Sequence, residues 1–156
     1  MKIRISTIFL LSLLLIGMNL SRASSQVKVQ DTSETSISVA ILFANYTDLD
    51  EDGYMDDVYA EVSIDLYGGV AYTFEYYVTL TLPSGLNFSY LFIISTNYQS
   101  FTIYNFFYDH ATESGWYTLN IDATLNNGGR STATSTLIFD PPGGSGGSDP
   151  DLEIST

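Results

Sequence analysis

Val58-Tyr59-Ala60-Glu61-Val62-Ser63-Ile64-Asp65-Leu66 alternates apolar and polar residues without a break. In an extended chain successive side chains point to opposite faces. Val58, Ala60, Val62, Ile64 and Leu66 therefore share one face, and Tyr59, Glu61, Ser63 and Asp65 share the other. A helix would scatter both sets around its axis, so the segment predicts a strand with one side buried and one side turned to solvent. The same period continues on either side. Ile37, Val39, Ile41 and Phe43 share one face of a first strand. After the second strand, Gly68-Gly69 turns the chain into a third over residues 70–82, which Pro83-Ser84-Gly85 ends. A fourth strand over 87–95 and a fifth over 99–108 follow short polar breaks. A sixth, over 116–125, turns Tyr117, Leu119, Ile121, Ala123 and Leu125 inward and Thr118, Asn120, Asp122 and Thr124 outward. Asn126-Asn127-Gly128-Gly129 supplies the residues that tolerate positive φ in a hairpin turn, and a seventh strand over 131–139 precedes Pro141-Pro142. Seven strands on short turns, with no segment at helical period, predict an all-β protein: an antiparallel seven-stranded β-sandwich.

The ends differ in composition from this middle. Residues 1–23 have a basic start (Lys2, Arg4), an apolar stretch from Ile8 to Met18 and small residues at Ser21 and Ala23, the pattern of a secretory signal peptide cleaved after Ala23. Its apolar core falls short of the roughly 20 residues that span a bilayer. No later segment is long and apolar enough either, so no membrane insertion is expected after signal cleavage and the mature chain is expected to be secreted. Residues 24–34 read as a polar leader, 35–140 as the β-sandwich domain, and 141–156 as a flexible Gly/Ser/Pro-rich tail.

Of 156 residues, 5 are Lys or Arg and 18 are Asp or Glu. Three of the five bases (Lys2, Arg4, Arg22) lie in the signal, so the remaining chain sets two bases against all eighteen acids. Phosphate backbones and anionic lipids are held by basic side chains, which excludes nucleic acid as a partner and favours cations. A hydrophobic share of 45% is too high for a disordered acidic polymer. The absence of cysteine removes disulfides, thiolate metal sites and Cys nucleophiles together.

The closing strands carry a resemblance. Ser114-Gly115-Trp116-Tyr117-Thr118-Leu119-Asn120-Ile121, followed by a Gly turn and a Thr/Ala-rich strand, resembles the end of immunoglobulin-like extracellular domains over about 26 residues, 114–139. The resemblance places Tyr117 where such domains carry a tyrosine corner, and implies an immunoglobulin-like form of the sandwich.

Asp48-Leu49-Asp50-Glu51-Asp52-Gly53-Tyr54-Met55-Asp56-Asp57 holds six carboxylates in ten residues and no base. Mutual repulsion opposes any compact turn here unless a cation reverses the local electrostatics. Oxygen ligands at the alternate positions Asp48, Asp50 and Asp52 can wrap a hard cation, Gly53 permits the sharp turn, and the Tyr54 carbonyl can supply the next oxygen. The D-x-D-x-D-G run resembles EF-hand-type calcium loops, although Tyr59 stands at the twelfth position where those loops carry a bidentate Glu. It is more similar to the D-x-D-x-D-G-x-x-D hairpin loop of integrin-type (FG-GAP) repeats, where strands flank the ion. That resemblance implies Asp48, Asp50 and Asp52 as side-chain ligands, the Tyr54 carbonyl as a backbone ligand and Asp56 as the last carboxylate, with Asp57 or Glu61 able to replace it. The propeller repetition of that family is absent, so only the ion site carries over. Calcium is the expected ion, since magnesium demands tight octahedral geometry and keeps its water.

Other signals are softer. Asn45-Tyr46-Thr47 and Asn87-Phe88-Ser89 are N-glycosylation sequons. Aromatics on both faces of the strands between residues 72 and 108 exceed what one core needs, and exposed rings can stack on sugars. His110, the single histidine, reads as a surface residue. Gly143-Gly144-Ser145-Gly146-Gly147 matches G-x-S-x-G but has linker on both sides where a nucleophile elbow needs a strand and a helix. The expectation is therefore non-catalytic: a calcium-stabilised adhesion or recognition module binding an extracellular protein or glycan. A carbohydrate-binding module and a structural subunit of a cell-surface assembly are the competing classes.

Overall fold

The computed structural model describes residues 34–127, 129–140 and 151–156. The signal segment 1–23, the leader 24–34 except Glu34, Gly128 of the turn and residues 141–150 of the tail, with their G-x-S-x-G run, lie outside the described residues. Those described form no helix, and hence none long and apolar enough to cross a membrane. They form eight strands: β1 (Ser36–Thr47), β2 (Asp57–Tyr67), β3 (Tyr72–Thr81), β4 (Asn87–Thr96), β5 (Ser100–Tyr108), β6 (Tyr117–Leu125), β7 (Ser131–Phe139) and β8 (Asp151–Ser155). All pairings are antiparallel, in two four-stranded sheets ordered β1-β2-β5-β8 and β4-β3-β6-β7.

The two sheets face each other over a core that the alternation dictates. Val58, Ala60, Val62, Ile64 and Leu66 of β2 are buried, as are Tyr72, Phe74, Tyr76, Val78 and Leu80 of β3 and Tyr117, Leu119, Ile121, Ala123 and Leu125 of β6. Full burial of such an aliphatic side chain is worth about 1.5–3 kcal/mol against leaving it exposed, which is why one face of each strand is fixed. Asn105 interrupts the apolar face of β5 without an unmet bond. Its Oδ1 accepts the Tyr76 hydroxyl at 3.1 Å from the opposite sheet, and its Nδ2 donates to the Ala60 and Ile103 carbonyls. Burial pushes the Tyr76 phenol well above its ordinary range, an effect that this hydrogen bond only partly offsets.

Three expectations need correction. Phe43 does not share the inward face of Ile37, Val39 and Ile41. The register shifts between Ile41 and Phe43, a bulge that turns Phe43 outward (44% exposed) and brings Ala44 against the core in its place. The strand count is eight and not seven, because residues 151–155 of the expected tail pair with Tyr104–Tyr108 of β5. Only two apolar residues alternate there, too short a run to register as a period, yet Leu152 is buried against the core. Finally, His110 is fully buried and not on the surface. Its ring lies edge-on to Phe88 and Phe107, with centroids 4.6 and 5.5 Å away, and its nitrogens meet the Tyr90 hydroxyl and the Tyr108 carbonyl.

Candidate metal centre

β1 ends at Thr47 and β2 begins at Asp57, so residues 48–56 form the loop between paired strands, with Thr47 opposite Asp57. The alternate aspartates organise it by accepting backbone N–H groups. Asp48 accepts from Asp52 on Oδ1 and from Gly53 on Oδ2, both at 3.1 Å. Asp50 accepts from Asp52 at 3.2 Å, and Asp52 from Tyr54 at 2.8 Å. Glu51 and Gly53 take positive φ (63° and 94°), which closes the turn. Open space surrounds the Gly53 α-carbon, so it is backbone conformation and not crowding that selects glycine there.

One carboxylate oxygen from each of Asp48, Asp50 and Asp52 lies within 4.8 Å of the others. These three are half-buried or exposed. Asp56 and Asp57 are fully buried and group instead with Asp109, again with one oxygen from each within 4.8 Å of the others. The Tyr54 side chain is exposed, and Glu61 accepts the Tyr59 hydroxyl at 2.8 Å and belongs to neither group.

Asp57 is the hub. Its Oδ2 accepts the Leu49 N–H in a short bond and the Asp50 N–H at 3.4 Å, and its Oδ1 accepts the Asp109 N–H at 2.8 Å. The Asp56 carbonyl accepts the Ala111 N–H at 2.5 Å, a second tie between the acidic loop and the connection after β5. The Asp56 carboxylate, by contrast, has no hydrogen-bond partner in any other residue on either oxygen, although both are buried, and only its own backbone N–H acts to lower its pKa. Burial raises its pKa above the ordinary carboxylate value, and the charges of Asp109 and Asp52 add to the rise. Asp50 is shifted upward as well, by desolvation first and then by the charges of Asp52, Asp57 and Asp109. The Asp48–Asp50–Asp52 trio and the Asp56–Asp57–Asp109 trio thus feel each other's charge through Asp52, Asp57 and Asp109.

Asp109 escaped the sequence reading because its neighbourhood is set by strand pairing. β2 and β5 run antiparallel with Val58 opposite Phe107, which brings the residues just past β5 to the start of β2. The local signal was an Asp closing a strand, and the structure holds it at φ 57°, a conformation that Asp tolerates better than most residues.

A second feature lies on the outer face of the β1-β2-β5-β8 sheet. Tyr59 stacks on Tyr104 with centroids 6.3 Å apart and planes 9° from parallel, and Phe106 and Phe43 flank it at 5.6 and 6.2 Å. Burial and the bond to Glu61 push the Tyr59 phenol up to about 12. The sequon residues Asn45 and Asn87 are both exposed. Comparison with known proteins assigns no family: no family model matches the sequence, no curated protein matches it and no solved structure matches the fold.

Proposed function

We propose that this chain is a secreted, calcium-stabilised β-sandwich that serves as an extracellular adhesion or recognition module without catalysis. The observation that carries the ion is the convergence of Asp48, Asp50 and Asp52 at the mouth of the β1–β2 pair. Three negative charges this close oppose the loop, and a calcium ion held by them and by the Tyr54 carbonyl turns that opposition into a clamp. The clamp acts on register. A slip of one residue between β1 and β2 would turn Val58, Ala60, Val62, Ile64 and Leu66 toward water.

An immunoglobulin-like topology is supported by the strand order. The first, second and fifth strands share one sheet and the third, sixth and seventh share the other, like the A-B-E and C-F-G sets of such domains. β8 takes the place beside β5. The Tyr117 hydroxyl, bonded to the N–H and carbonyl of Glu113, makes the backbone contact of a tyrosine corner. A non-catalytic reading is supported by His110, whose two ring nitrogens are engaged inside the core.

Thermal melts with calcium and with chelator test the ion. A higher midpoint in calcium is expected, and identical midpoints would remove it. Glycan binding is the second reading, favoured by the Tyr59–Tyr104 stack on the outer face. A glycan pull-down lost on Tyr104→Ala would select it over protein recognition.

A further inference from the structure

We propose that Asp56, Asp57 and Asp109 form a second, buried cation centre that takes calcium and rivets the β1–β2 loop to the connection after β5. The inference uses a different trio from the loop ion and rests on that reading only in taking calcium as the cation supplied.

An acidic cluster alone would not carry this. The deciding observation is Asp56, a fully buried side chain with neither carboxylate oxygen hydrogen-bonded to another residue, whose oxygen lies within 4.8 Å of oxygens from Asp57 and Asp109. A buried carboxylate without hydrogen bonds or counter-charge is among the costliest groups a fold can hold. Protonation would remove the charge, but a carboxyl O–H also needs an acceptor, and Asp56 makes no hydrogen bond to either neighbour. A salt bridge would answer the need as well. Among the described residues, however, the one Lys or Arg is Arg130, which is exposed beside Ser131. Ser131 pairs with Leu125 at the far end of β6 from Tyr117, whereas Asp109 lies on the connection that leads into Tyr117. A hard cation would meet the need of Asp56, and it matches the donor set. All three side chains offer oxygen only, from rigid supports. Asp57 accepts three N–H donors, with a lone pair of Oδ1 still free for a metal. Asp109 is fixed by its own N–H to Asp57 and by its left-handed backbone.

The centre has a distinct role. The loop ion closes nine consecutive residues on themselves, whereas this one joins segments 52 positions apart. It therefore couples the first hairpin of one sheet to the crossover that leads into the other.

The test counts calcium bound per chain at saturation, by equilibrium dialysis of the full-length protein and of Asp50→Asn, Asp56→Asn and Asp109→Asn. Asn tolerates the positive φ at position 109, and circular dichroism reports whether each variant is folded. Two ions are expected for the wild type and one for each variant. The wild-type count needs no substitution, so a variant that fails to fold does not stop the test. One ion, lost in Asp50→Asn and kept in Asp109→Asn and Asp56→Asn, would overturn the buried centre and leave the loop ion standing. One ion with the opposite pattern would keep the buried centre and remove the loop ion. Two ions that survive both Asp56→Asn and Asp109→Asn would overturn the assignment to this trio, and no ion would end both readings.

Discussion

The Asp57 carboxylate accepts the Asp109 N–H at 2.8 Å with 52 positions of chain between them, and this bond makes one structural unit of two loops. The other oxygen of Asp57 accepts two N–H groups of the acidic loop. Asp57→Ala leaves the buried Asp109 N–H without an acceptor and frees the loop, which should cost about 2–4 kcal/mol in urea denaturation. Asp57→Asn keeps an oxygen for one side and should cost less. Equal losses would mean that charge, and not hydrogen bonding, is what the position supplies.

Asp56→Asn should change sign with the medium. In chelator it removes a buried, unpartnered charge and should raise stability at neutral pH. In calcium it removes a ligand and should lower it. The pair of urea midpoints decides, and a variant less stable in both media would deny that Asp56 is strained without a cation.

The pH dependence follows from the raised pKa of Asp56. Its folded-state value lies above the unfolded one, so the folded chain binds the proton more tightly. This contribution is fully present below the unfolded value, 3.8, and is lost as pH rises through the folded value. In chelator, the deficit of wild type against Asp56→Asn should therefore shrink as pH falls toward 4. In calcium, where the cation replaces the proton, acidification should instead erode the wild-type advantage.

Tyr117→Phe tests the contact between Tyr117 and the Glu113 backbone. The hydroxyl accepts the Glu113 N–H at 2.8 Å and donates to the Glu113 carbonyl at 2.9 Å. Its removal should cost about 1–2 kcal/mol with the core ring still in place, read as a lower denaturation midpoint at unchanged slope.

Leu152→Ala tests whether β8 belongs to the domain. Leu152 is only 7% exposed, and truncating a leucine so placed typically costs about 2–3 kcal/mol. An unchanged midpoint would mean that the strand does not dock in solution.

The alternation in β2 and β6 was readable from one sequence because period two is a local property and one face of each strand has nowhere to go but inward. Phe43 was misplaced because a bulge adds one residue without any mark in the apolar pattern. At the candidate site, Asp48, Asp50 and Asp52 come together through bonds spanning at most five residues, so their spacing sufficed. The division of Asp56 and Asp57 from that trio, and their union with Asp109, arises from the pairing of β2 with β5, which no window along the chain contains. His110 failed for the same reason: its burial is set by Phe88 and Tyr90 from β4.

β1 is the outermost strand of its sheet, and such a strand ordinarily offers a row of N–H groups to any extended chain that passes. Here the Ile37 and Ile41 N–H groups donate to the Ser131 and Ser135 hydroxyls of β7, and the bulge before Phe43 breaks the straight run. Those two donors are thereby withheld from an incoming strand. Two serines of the facing sheet thus take up part of the hydrogen-bonding capacity of this edge, with no charge on the strand itself.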